Sequence, residues 1–155
     1  MREAGAEGRL EELRAATGTA QDAADAIGCT LGQIVKSIVL VCDGASILVL
    51  VPGDRRADAR RVAALVGVKH ARVARPDEVV AATGFEPGAV SPFPSVAVAR
   101  VLLDRSLLPH PLVWCGGGSP RHLVALAPLE LRRLARAEIV DVAEPRDGRG
   151  RTRGV

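Results

Sequence analysis

The chain has 155 residues, a mass of 16.2 kDa and a formal net charge of +3, with 48% hydrophobic and 25% charged residues. That size suits one domain, large enough to bury a core without a metal or a disulfide, and the composition excludes a disordered chain. No apolar run approaches the ~18 residues of a membrane span, and the polar opening MREAGAEGRL does not read as a secretory signal.

The charge is unevenly placed. Residues 145–155 (PRDGRGRTRGV) hold four Arg and one Asp, so they alone supply +3 and residues 1–144 sum to zero. The expected layout is therefore an N-terminal helical extension over 1–18, a globular domain over 19–144 and a basic, solvated tail over 145–155. Such a tail adds salt-sensitive attraction for phosphates and is otherwise bland. Only two Lys, Lys36 and Lys69, survive in an Arg-rich composition, and the aromatics are Phe85, Phe93 and Trp114. Cys29, Cys42 and Cys115 form no CxxC and fit neither a zinc site nor a disulfide framework. A reduced, cytoplasmic protein is expected.

In chain order, residues 7–16 (EGRLEELRAA) read as a helix, and Thr19 with Asp22 caps a second, Ala-rich helix ending at Gly28. Its alanines suit close packing on a flat surface. Residues 34–42 and 46–52 are β-branched runs separated by Asp43-Gly44-Ala45, a hairpin signal. Asp54–Val66 reads as a helix closed by Gly67, followed by a strand over 70–74. Pro76-Asp77-Glu78 opens another helix that stops before Gly84. Residues 84–95 (GFEPGAVSPFPS) hold two Gly and three Pro, a shaped loop of the kind that carries function on a scaffold. Strands over 97–104 and 111–115, the triplet Gly116-Gly117-Gly118, an apolar run over 123–127, a helix over 128–136 and a strand over 138–142 complete the chain. Mixed strands and helices with hairpin links predict an α+β fold.

Lys36 is the sharpest single feature. It lies in an apolar strand on the face of Ile34 and Ile38, and a buried ammonium must find an anion, carbonyls or a wet cleft. A snorkelling edge lysine is the bland alternative. Ser37 should point to the opposite face, which argues against a Ser-Lys dyad. His122 follows the glycine triplet and could donate to or accept from a ligand, although a lone histidine is more often satisfied by local backbone. The three histidines share no ligand spacing, so no metal or other cofactor is expected. Neither GxxxxGK[ST] nor GxSxG occurs. The residues thus describe a lysine cleft lined by two Gly/Pro loops, with no strong nucleophile.

The stretches AADAIGCTLGQIVKSIVLV, VPGDRRAD, ARPDEVVAATGFEPGAVSPF, VLLDRSLL and GGGSPRHLVALAPLEL, in this order between about Thr19 and Val142, resemble the YbaK/ProX-like aminoacyl-tRNA editing family, related to the editing insertion of bacterial prolyl-tRNA synthetases. The resemblance implies an α+β fold around a curved, barrel-like sheet with surrounding helices. It implies hydrolysis, in trans, of the ester of tRNA charged with a wrong amino acid. On it, Lys36 holds the tRNA 3′ end or its phosphate. Gly84, Pro87, Gly88, Ser91 and Pro92 shape the aminoacyl pocket, and Gly118 and His122 match the second loop. Ser37 after the lysine leans toward the subgroup acting on cysteinyl-tRNA(Pro). The spacing of His122 from Gly118 departs somewhat from the family pattern. Aminoacyl-tRNA is the implied partner, with an aminoacyl-tRNA synthetase as a candidate second one and no membrane. The competing expectation is a non-catalytic module that binds an aminoacyl or nucleotide ligand on the same fold.

Overall fold

The computed structural model describes residues 9–12 (as backbone alone), 19–93, 97–117 and 122–145. Eight strands and four α-helices are seen there: β1 (Arg9–Glu12), α1 (Ala20–Ile27), β2 (Val35–Cys42), β3 (Ala45–Pro52), α2 (Ala59–Val66), β4 (Ala71–Val73), α3 (Pro76–Thr83), β5 (Arg100–Asp104), β6 (Val113–Gly116), β7 (His122–Leu126), α4 (Pro128–Ala135) and β8 (Glu138–Val140). Short 3-10 turns cover Leu31–Gln33 and Arg105–Leu107. No helix among them is long and apolar enough to cross a membrane.

The α+β class holds, and the strands lie in two sheets that do not close into a barrel. A five-stranded sheet has the order β4-β2-β3-β5-β8, and a three-stranded sheet the order β1-β7-β6. The β2–β3 hairpin turns through Asp43 and Gly44, both at positive φ (47° and 89°), the twist-matched two-residue connection. That turn sets the register from Cys42–Ala45 back to Lys36–Val51. β5 and β8 extend the sheet in parallel through crossovers that carry helices. The two sheets touch at a parallel bridge between Ile34 and Trp114.

Alternation along β2 feeds two cores. Val35 and Val39 join Leu48, Leu50, Leu103, Cys115, Val124, Leu126 and the inner faces of α3 and α4. Leu40 and Cys42 join Val49, Val51, Leu102 and Val62 of α2 on the other face. A third cluster places Ala23 and Ala24 of α1 on Trp114, Leu123 and Ala125, so the Ala-rich helix does lie on a flat surface. Thr19 caps it by accepting from the Asp22 N–H at 3.0 Å.

Two expected helices differ. Residues 9–12 are a strand, not part of a helix, because they pair with β7 from Arg9–Ala125 to Glu12–His122. An unpaired edge outweighs the modest helix preference of RLEE. The helix expected from Asp54 starts only at Ala59. Asp58 is its cap, accepting from the N–H groups of Arg60 and Arg61, while Ala57 bridges Ala143. Residues 53–56 therefore form a turn. The rest of 7–16 and the tail beyond Pro145 lie outside the described residues.

One buried acid fixes the end of the domain. Asp104, 1% exposed, accepts through Oδ1 from the N–H groups of Val142 (2.7 Å) and Ala143 (2.8 Å). Its Oδ2 accepts from the Ser106 N–H (3.0 Å) and from the Ser106 hydroxyl. Glu144 N–H then donates to the Arg56 carbonyl at 2.7 Å, which brings Glu144 beside the 53–56 turn.

Candidate active site

Ile34, just before β2, bridges Trp114 of β6, and a cavity of about 270 Å³ lies in the fork at this junction. Residues 34–38 form one wall, Thr19, Ala20 and Ala23 of α1 another, and Gly88, Val90, Gly116 and Leu123 close it. In the hairpin register, even-numbered residues of β2 bond to β3 and odd-numbered ones face the opposite edge. The Val39 carbonyl, for example, accepts from Ala74 N–H. β4 covers that edge only at residues 40–42. The Ser37 N–H and C=O therefore point away from β3 at the cavity wall. The Ser37 hydroxyl is buried with no hydrogen-bond partner, on the Val35–Val39 face and opposite Lys36, as expected.

Gly88 lies in the turn Glu86-Pro87-Gly88-Ala89, closed by Ala89 N–H to the Glu86 carbonyl at 3.0 Å. Its φ of +86° suits glycine at the third position after proline at the second. Gly116 matters for a different reason. A Cβ there would stand 2.7 Å from the Val90 carbonyl oxygen, so only glycine lets β6 and the Gly/Pro loop meet at the rim.

Lys36 lines this cavity and also a second cleft of about 540 Å³, formed with Leu31, Gly53, Asp54, Arg55, Arg56, Glu144 and Pro145. Its ammonium makes no hydrogen bond or ion pair among the described residues. Half-burial pushes its pKa below the ordinary lysine value, and Arg56 pushes the same way, against the pull of Asp54 and Glu144.

The other expected residues distribute unevenly. Gly84 is the left-handed C-cap of α3 at φ +80° and does not line the Lys36 cavity. Pro87 is exposed beside Gly88, and Pro92 is buried. Ser91 lines a separate small cavity with Thr83, Phe85 and Phe93, where its Oγ accepts from the Phe93 N–H at 3.5 Å. His122 opens β7 and its carbonyl accepts from Gly117 N–H at 2.8 Å. Strand alternation puts its side chain opposite that of Leu123, which faces the cavity. Gly118 lies outside the described residues.

Cys115 is fully buried, its thiol pushed up to about 12 by desolvation, and is not a nucleophile. Among the described residues no group of three or more His, Cys, Asp or Glu could hold a metal. Sequence reasoning counted the Gly116-Gly117-Gly118 loop among the walls of the cleft but missed Thr19, Ala20 and Ala23 at the start of α1, and the Asp54–Arg56 turn. The hairpin register carried a signal for the last: with Lys36 opposite Val51, the residues just past Pro52 must emerge at the lysine.

A family model described as the aminoacyl-tRNA editing domain matches residues 14–134. The chain belongs to that family. Its members' chemistry makes it an aminoacyl-tRNA deacylase, an ester hydrolase. It is 31% identical to the uncharacterised YwhH protein of Bacillus subtilis (strain 168), over 89% of this chain and 88% of that one. It is also 32% identical to a proline–tRNA ligase of Xanthomonas oryzae pv. oryzae (strain MAFF 311018), over 57% of this chain and only 16% of the ligase. Among solved structures, a candidate trans-editing enzyme for prolyl tRNA synthetase is 42% identical, with a TM-score of 0.82 and coverage of 88% of this chain and 87% of that one. The hypothetical protein APE2540 is 32% identical with a TM-score of 0.86, covering 92% and 95%.

Proposed function

We propose that this editing domain acts in trans on tRNA(Pro) carrying cysteine or another small amino acid, and hydrolyses the aminoacyl ester. The observation that carries the reading is the 270 Å³ cavity with Lys36 in its wall and, among the described residues, no activated nucleophile beside it. The likeness to a candidate trans-editing enzyme for prolyl tRNA synthetase supports the tRNA. The small fork, with the buried Ser37 hydroxyl at its side, supports a short side chain. Bulkier aminoacyl groups are excluded by fit, the logic of a size sieve.

In the reaction, water oxygen adds to the ester carbonyl carbon and the bond to the ribose oxygen breaks. The ribose oxygen leaves with a proton, giving free amino acid and uncharged tRNA. An ester needs less activation than an amide, so positioning and charge stabilisation suffice. Lys36 supplies a fixed positive charge toward the tRNA 3′ end. Gly88 and Gly116 hold the pocket's rim at close approach, and the outward N–H and C=O of Ser37 offer the aminoacyl group a donor and an acceptor.

Single-turnover hydrolysis of tRNA(Pro) charged with Cys, Ala, Ser or Pro tests this, comparing the wild type with Lys36→Ala. Hydrolysis of one mischarged species, lost in the variant, is expected. No hydrolysis of any species, with retained binding of an aminoacyl-adenosine mimic, would replace the enzyme by a binding module.

A further inference from the structure

We infer that the arginine-rich segment 146–155 is an RNA-binding arm, which engages backbone phosphates of the duplex acceptor stem while the tRNA 3′ end occupies the site. The inference rests on the deacylase reading, which supplies tRNA as the substrate. Two independent observations carry it: where the net charge lies, and where the folded domain hands the chain over to the arm.

A nucleic acid is held in large part by lysines and arginines that displace its counterions. Residues 1–144 offer no surplus for that, because their charges sum to zero. Even within the Lys36 cleft, Asp54 and Glu144 offset two of the three cations. The surplus of +3 sits in Arg146, Arg149, Arg151 and Arg153 against Asp147. The only hydrophobic residue of RDGRGRTRGV is Val155, so its composition serves charge rather than a core. Guanidinium groups are also the side chains best matched to phosphate oxygens.

The point of departure is set by the fold. Asp58 N–H donates to the Val142 carbonyl at 2.7 Å, Ala57 bridges Ala143, and Glu144 N–H donates to the Arg56 carbonyl at 2.7 Å. This ladder delivers Pro145 to the wall of the cleft that Lys36 lines. Arg146 is the next residue, so the arm is rooted at the mouth of the site. Ten residues span at most roughly 35 Å. A 3′ end seated at Lys36 brings its own stem to the same mouth, and charges tethered there meet it at high effective concentration.

The test replaces all four arginines by glutamine in the full chain (Arg146→Gln, Arg149→Gln, Arg151→Gln, Arg153→Gln). Equilibrium binding of uncharged tRNA(Pro) and of the trinucleotide CCA is then measured across a salt series. Loss of four phosphate contacts should flatten the slope of log affinity against log salt by roughly 3 for the tRNA. Between about 50 and 200 mM salt the wild type should therefore lose roughly 60-fold more affinity than the variant. The trinucleotide has no stem, so both chains should bind it alike. The corresponding four Arg→Lys substitutions should restore the slope, which separates charge from any disturbance of folding. Equal slopes in wild type and glutamine variant would overturn the inference and leave the segment to an acidic protein partner. An equal change with the trinucleotide, or no rescue by lysine, would also overturn it. Hydrolysis of mischarged tRNA(Pro) assayed in parallel separates the two proposals. Hydrolysis with equal salt slopes sinks only the arm, whereas an arginine-dependent slope without hydrolysis sinks only the deacylase.

Discussion

Replacing Asp104 by Asn changes one oxygen to an amide and leaves the shape. The native carboxylate faces donors on both oxygens, two backbone N–H groups on Oδ1 and the Ser106 N–H and hydroxyl on Oδ2. Asn can satisfy only one of these pairs, and its amide then meets two donors. Each buried donor left without an acceptor costs about 1–3 kcal/mol, so the loss should be roughly 2–5 kcal/mol. For a chain of this length that corresponds to a fall in Tm of roughly 5–15 °C. Urea and thermal unfolding at neutral pH would measure it. The pH dependence supplies an internal check. Burial alone would raise the Asp104 pKa, but the four hydrogen bonds outweigh it and hold the group below its ordinary value. Its contribution is thus complete above the unfolded value of ~3.9 and is lost as pH falls through the lower folded one. The gap between wild type and variant should close in that acid window. An Asp104→Asn chain that unfolds within about 0.5 kcal/mol of wild type at pH 7, the range of an ordinary surface substitution, would refute the clamp. The same variant should also lose deacylation, because residues 142–144 carry Glu144 to the Lys36 cleft.

Gly116→Ala should abolish or retune deacylation and cost about 1–3 kcal/mol in unfolding experiments, since its methyl would drive into the Val90 carbonyl; an unchanged substrate profile would argue that the rim is not built by that contact. Iodoacetamide should modify native Cys29, which is partly exposed, and leave Cys42 and Cys115 untouched, with mass spectrometry reading the adducts. Cys115→Ser should retain activity, and a dead Cys115→Ser chain would restore the case for a thiol nucleophile. The Lys36 pKa is lowered by burial and Arg56, so background-corrected deacylation should decline with a limb below the ordinary lysine value of ~10.4. The sign for stability is the reverse, because the folded state disfavours the ammonium and folding gains as pH rises through the folded pKa. Lys36→Met should accordingly fold at least as well as wild type while losing activity.

The parts of the fold that local chemistry dictates were readable without coordinates. Asp43-Gly44 specifies its hairpin, Thr19 and Asp58 accept backbone N–H groups at helix starts, and Gly28, Gly67 and Gly84 end helices in the left-handed conformation. The misreadings share a cause: partners distant in sequence decided the outcome. RLEE becomes a strand because β7, more than a hundred residues later, offers an edge. The 53–57 segment stays out of α2 because residues 142–144 pair with it. Lys36 and Gly88 line one cavity, whereas Gly84 caps a helix and Ser91 lines a neighbouring cavity. Arg55 and Arg56 looked like an ordinary polar helix start, and only the chain's return at Glu144 makes them one wall of a cleft.

β7 is an interior strand of its small sheet solely because β1 lies along its flank. A shortened chain lacking residues 1–18 would keep the globular region expected from sequence yet bare a row of backbone donors and acceptors along β7. A bare row of that kind accepts a strand from another copy, so trimming this chain to its apparent domain would trade a self-contained sheet for an adhesive one.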